Sequence, residues 1–137
     1  MKYIIKLKLP SILALFVFVS IVGFGLNAHA YKKQSNRGNG VTVNVKPNQL
    51  APGKQAEFKI RMNTHSVELD QDLTAVVTLE DGQGNKYHPL TWDGSAPGGH
   101  HRSGVLIFPK IEKSPGKVTL TIQKVGGIKR IFVWNVE

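Results

Sequence analysis

From Val41 onward the sequence alternates apolar and polar residues in short runs, and no interval between turn residues is long enough for an amphipathic helix. A period of two marks strands with one buried and one wet face. Val41, Val43 and Val45 alternate with Thr42, Asn44 and Lys46, and Ala56, Phe58, Ile60 and Met62 alternate with Glu57, Lys59 and Arg61. Leu73 to Leu79 gives a third run, Lys86 to Trp92 a fourth and Gly104 to Phe108 a fifth. Val118, Leu120 and Ile122 mark a sixth, and Lys129 to Val136 carries Phe132 and Trp134 in a seventh. Pro89 cannot donate to a ladder, so the fourth run is expected at an edge or a bulge. The pattern predicts an all-β, seven-stranded antiparallel sandwich, immunoglobulin/fibronectin-like, with a small barrel as the alternative.

The first thirty residues follow another logic. Lys2, Lys6 and Lys8 open the chain, Leu9 to Leu26 carry no charge, and Ala28-His29-Ala30 places small residues at a cleavage point. This is the order of a secretory signal peptide, expected over 1–30, and it implies an exported product, secreted or cell-envelope associated. The apolar run is roughly as long as the shortest membrane helix, about 18 residues. An uncleaved segment would therefore be the one route to a membrane. Residues 31–40, "YKKQSNRGNG", lack an apolar period and are expected to be a flexible basic spacer. The sandwich domain is then 41–137.

Removing thirty residues from 137 leaves 107, the size of one domain. The absence of cysteine excludes disulfides, thiolate metal sites and cysteine nucleophiles. Loss of Lys2, Lys6 and Lys8 lowers the net charge from +9 to +6. The remaining lysines are scattered along the sequence, and no basic block is interleaved with aromatics, which argues against nucleic acid. A cell-surface polymer or a protein is the expected partner of a monomeric domain.

If the strands run alternately up and down, three connections share one pole: Asn63 to Asp72, Trp92 to Gly104, and Val125 to Ile128. His65, His100 and His101 then converge, three of the four histidines that follow position 30. Three readings of that pole are open. His65, His100, His101 and Asp93 have the chemistry of a Zn, Cu or Ni site. Arg102, Glu68, Asp70 and Trp92 can brace the loops, with the histidines bridging them. The same arginine, with glycine amides, would also suit an anion. No G-x-S-x-G elbow, P-loop or close acid pair is present, so an enzyme is not expected.

"THSVELDQDL", "WDG", "GGHHRSGVLIF" and "VGG" before "FVWNV" resemble a group of exported or cell-surface bacterial and archaeal domains. The resemblance covers roughly Val41 to Val136 and implies a β-sandwich, without implying an activity. The first expectation is thus a non-enzymatic binding module with a transition-metal pole. The second is a structural or adhesive surface domain whose histidine and arginine residues brace loops.

Overall fold

The computed structural model describes residues 30–136, so the targeting segment expected over 1–30 lies, except for Ala30, outside the described residues. Among them the chain forms β1 (Gln34–Gly38), β2 (Val41–Gln49), β3 (Gln55–Thr64), α1 (Leu73–Val76), β4 (Val77–Asp81), β5 (Lys86–Tyr87), β6 (Thr91–Gly94), β7 (His101–Lys110), β8 (Lys117–Val125) and β9 (Ile128–Asn135). These make two antiparallel sheets, ordered β1-β2-β3-β7-β6 and β5-β4-β8-β9. The fold is all-β, with nine strands among the described residues where seven were expected.

Two corrections account for the difference. The stretch expected as a spacer contains β1, which pairs with β2 from Gln34↔Val45 to Gly38↔Val41. The turn between them is Asn39-Gly40, both at positive φ (47° and 77°), the hairpin geometry whose twist matches paired strands. The fourth run breaks at Pro89, so that β5 pairs with β4 in one sheet and β6 with β7 in the other. The missing N–H makes that residue a natural crossing point. A third difference is α1: Asp72 Oδ1 accepts from Thr74 N and Thr74 Oγ1 at 2.9 and 2.7 Å, capping one helical turn before β4 begins.

The alternating apolar residues of both sheets meet in one buried cluster. Phe58 packs edge-on to Phe108 with centroids 5.7 Å apart, and Trp134 from the other sheet lies 5.6 Å from Phe58. Full burial of each such side chain contributes about 1.5–3 kcal/mol. Among the described residues no helix is long and apolar enough to cross a membrane.

The expected convergence of loops at one pole is present. Thr64 N donates to His100 O at 3.0 Å, joining the end of β3 to the start of β7. Asn39 Nδ2 donates to Gly126 O at 3.0 Å, joining the β1–β2 turn to the β8–β9 turn. Gly40 sits against the intervening loop, where an added Cβ would lie 3.3 Å from Ser66 Oγ.

Candidate functional site: an arginine-braced pole

Strand alternation decides what each residue of "HHRSG" does. His101 and Ser103 point outward from β7 and are exposed, whereas Arg102 points inward and is only 2% exposed. Its guanidinium faces the loop that follows β3. Nη1 donates to Leu69 O at 3.1 Å and to Gln71 O at 2.7 Å. Nη2 reaches Ser95 O at 3.5 Å, the carbonyl that also accepts from Trp92 Nε1 at 2.8 Å. The guanidinium carbon lies 5.7 Å from the Trp92 ring centroid, within cation–π range. Burial pushes the Arg102 pKa down, while Asp72 and Asp70 pull it back up.

The backbone repeats the same connection. Leu69 N donates to Gly99 O at 3.0 Å, and Gly98 N donates to Leu69 O at 2.8 Å. Gly98 and Gly99 have φ of 114° and 73°, which lets the loop turn its amides toward Leu69 and Glu68. Glu68 Oε1 accepts from Gly99 N at 3.1 Å. The two glycine amides expected to hold an anion are therefore satisfied from within the chain. Asp70 is exposed and accepts from Gln71 Nε2 at 2.9 Å.

The expected metal ligands are arranged differently from the expectation. Among the described residues no group of three or more His, Asp or Glu side chains is placed to hold a metal ion, so His65, His100, His101 and Asp93 do not assemble one. The physical reason lies in the strand geometry. Asp93 stands outward on β6 opposite Val105, His101 Nδ1 is 2.9 Å from Asn63 Oδ1, and His65 and His100 are exposed on separate loops. His65 instead borders a cleft of about 380 Å³ with Arg37, Asn39, Thr42 and Asn63. The histidines are also lesser braces than expected, since the loops are held by Arg102, Glu68 and main-chain bonds.

Sequence reasoning overlooked a second buried arginine. Arg130 on β9 is fully buried and donates to Val125 O from Nε (3.3 Å) and Nη2 (3.1 Å). Nη2 also reaches Gly38 O at 2.9 Å, and Nη1 reaches Asn36 Oδ1 at 2.9 Å and Val41 O at 3.3 Å. Burial lowers its pKa, and its partners are carbonyl oxygens rather than carboxylates. Arg102 and Arg130 thus brace the same pole, one at the β6–β7 corner and one at the β1–β9 corner. The signal available beforehand was an arginine at an inward-facing position of a strand, in step with Phe132 and Trp134.

Fold and pole together define an all-β domain of two antiparallel sheets whose loops are fastened by buried guanidinium groups. No protein-family model matches the chain, and no curated protein sequence does. Among solved structures it is similar to MPT63, a secreted protein from Mycobacterium tuberculosis, at 16% identity and a TM-score of 0.44. That similarity covers 76% of this chain and 92% of the other.

Proposed function

We propose that the protein is an exported, non-enzymatic interaction domain, an immunoglobulin/fibronectin-like sandwich whose histidine- and arginine-containing pole is a structural brace. The observation that carries the reading is Arg102, inward-facing and 2% exposed, with Nη1 on the carbonyls of Leu69 and Gln71. A buried guanidinium that saturates main-chain acceptors of a facing loop fixes that loop. A metal site would need the imidazoles free and convergent, and a loop anion site would need the glycine amides free. Export follows from the basic start, the uncharged Leu9 to Leu26 run and Ala28-His29-Ala30.

Calorimetric titration with Zn(II), Cu(II) and Ni(II) at pH 7.5, beside thermal unfolding of Arg102→Met and of His100→Ala/His101→Ala, tests the brace. The expected result is no micromolar metal binding, a large loss of stability for Arg102→Met and a small one for the histidine pair. Micromolar metal binding abolished by the histidine changes, with Arg102→Met as stable as the parent, would reverse the assignment.

A further inference from the structure

The basic residues that look scattered along the chain are gathered by strand register. On the outer face of the five-stranded sheet, Lys46 of β2 stands directly opposite Lys59 of β3. One step toward the braced pole, Asn44 faces Arg61, which in turn faces Ser103 of β7. One step further, Arg37 of β1 faces Thr42, and Arg37 Nε donates to Thr42 Oγ1 at 3.2 Å. Arg37, Lys46, Lys59 and Arg61 are all exposed. Like charges placed directly opposite on adjacent strands are destabilising. The side chains of Lys46, Lys59 and Arg61 make no hydrogen bond or ion pair among the described residues, so none of those residues compensates that pairing.

Three features describe what would. Cations run diagonally across three adjacent strands, β1 to β3, and the cross-strand companions of the two arginines are hydroxyl and amide side chains, Thr42 for Arg37 and Asn44 and Ser103 for Arg61. The track ends at the cleft bordered by Arg37, Thr42, Asn63 and His65, whose walls carry no carboxylate among the described residues. Of the acids on this face, Glu57 lies one step beyond Lys59, away from the braced pole and across from Ile107, and Asp93 stands on the rung of Lys59 but on β6, with Val105 of β7 between them. The two tryptophans point to the inner side, at the core, which removes the stacking platform that single-stranded nucleic acid uses.

We infer that this face binds a linear anionic glycopolymer, with lysine and arginine on its charged groups and Asn44, Thr42 and Ser103 on its hydroxyls. The inference deepens the reading of the chain as an exported interaction domain, and it places the contact on a sheet face rather than on the loops.

The test is binding of the purified protein to poly(glycerol phosphate), to polygalacturonate and to uncharged dextran, by calorimetry from about 50 to 500 mM salt. The phosphate and uronate arms distinguish the source of negative charge. Expected are binding to at least one of the two polyanions, none to dextran, and weakening by tenfold or more across that salt range. Lys46→Gln/Lys59→Gln is expected to lose at least about tenfold in affinity with its melting temperature unchanged or raised, because the repulsion is relieved. Lys117→Gln/Lys129→Gln on the other sheet removes the same charge and is expected to lose less than about twofold. Equal losses in both pairs, no polyanion binding, or tighter binding of single-stranded DNA than of either glycopolymer overturns the inference. Arg102→Met separates the two proposals: a weakened brace with polymer affinity kept removes neither, whereas an undisturbed brace removes only the first.

Discussion

Arg102 Nη1 donates to the main-chain oxygen of Gln71 at 2.7 Å, and the same two residues supply buried side-chain atoms that lack a partner among the described residues, Arg102 Nε and Gln71 Oε1. The guanidinium is therefore fixed by its two terminal nitrogens alone. Removing it would strand the Gln71 carbonyl and leave the Leu69 carbonyl with Gly98 N alone, whereas removing the Gln71 amide would delete an acceptor that is already unmatched and one exposed bond to Asp70. Arg102→Met is expected to cost about 2–4 kcal/mol and Gln71→Met less than about 1 kcal/mol. Urea unfolding of both variants checks this. Equal costs would show that the pole is held by packing and not by the guanidinium.

Arg130 performs the corresponding task for the first strand. Its Nη atoms hold Gly38 O and the Asn36 side chain, while Trp134 Nε1 donates to Lys32 O at 2.8 Å and Gln34 bonds both main-chain groups of Val133. Arg130→Met is expected to destabilise by about 2–4 kcal/mol and to speed hydrogen exchange across 34–38 more than across β8. Asn36→Ala removes one bond of several and is expected to cost about 1 kcal/mol. Exchange in 34–38 that does not change in Arg130→Met would detach the strand from the arginine.

The sheets were legible because burial enforces alternation: the inward series Val41-Val43-Val45, Phe58-Ile60-Met62 and Phe132-Trp134 appears in the sequence as it does in the core. The first strand was not, because Gln34-Ser35-Asn36-Arg37-Gly38 buries no apolar residue and is held by polar side chains and pairing to β2. Its one local signal was Asn39-Gly40. The meeting of the pole loops followed from alternating strand direction, but the role of each side chain did not. Whether Arg102 or His101 points inward depends on where β7 begins, and a shift of one residue exchanges them. The basic face was hidden for a related reason, since Lys46 and Lys59 become neighbours only through the β2–β3 register.

Gly94 and Gly104 face each other across β6 and β7 at ordinary φ, so space rather than backbone freedom demands them. A Cβ on Gly104 would lie 2.5 Å from Asp93 O and 2.9 Å from the Trp92 ring, whose indole crosses the glycine pair. Gly104→Ala is expected to cost about 2–4 kcal/mol, in the range of other overpacked sites. Gly53→Ala, at φ 73° with no atom near its added Cβ, is expected to cost about 1–2 kcal/mol from backbone strain alone. Thermal unfolding orders the two variants, and a Gly104→Ala protein as stable as Gly53→Ala would mean that the strands separate freely at this edge.

At the far pole, Asp81 is 5% exposed and accepts four hydrogen bonds. Oδ1 takes Gln83 N and Asn85 N, each at 2.9 Å, and Oδ2 takes Asn85 Nδ2 at 2.9 Å and Tyr87 OH at 3.0 Å. Burial raises its pKa, but the bonds from Asn85, Tyr87 and Gln83 together outweigh that and leave it lowered. The same contact, after burial, holds the Tyr87 hydroxyl above its usual pKa. A carboxylate with a lowered folded-state pKa stabilises fully above its unfolded value, about 3.9, and that contribution is lost as pH falls through the folded value. Unfolding free energy is therefore expected to be level in this respect above about pH 5 and to decline below about pH 4. Asp81→Asn keeps the size but offers N–H groups where Asn85 and Tyr87 also donate. It is expected to cost about 2–3 kcal/mol at pH 7 and to flatten the acid limb of the stability profile. Urea midpoints from pH 3 to 8 check both statements. A variant with the parent's acid slope would place the titrating group elsewhere.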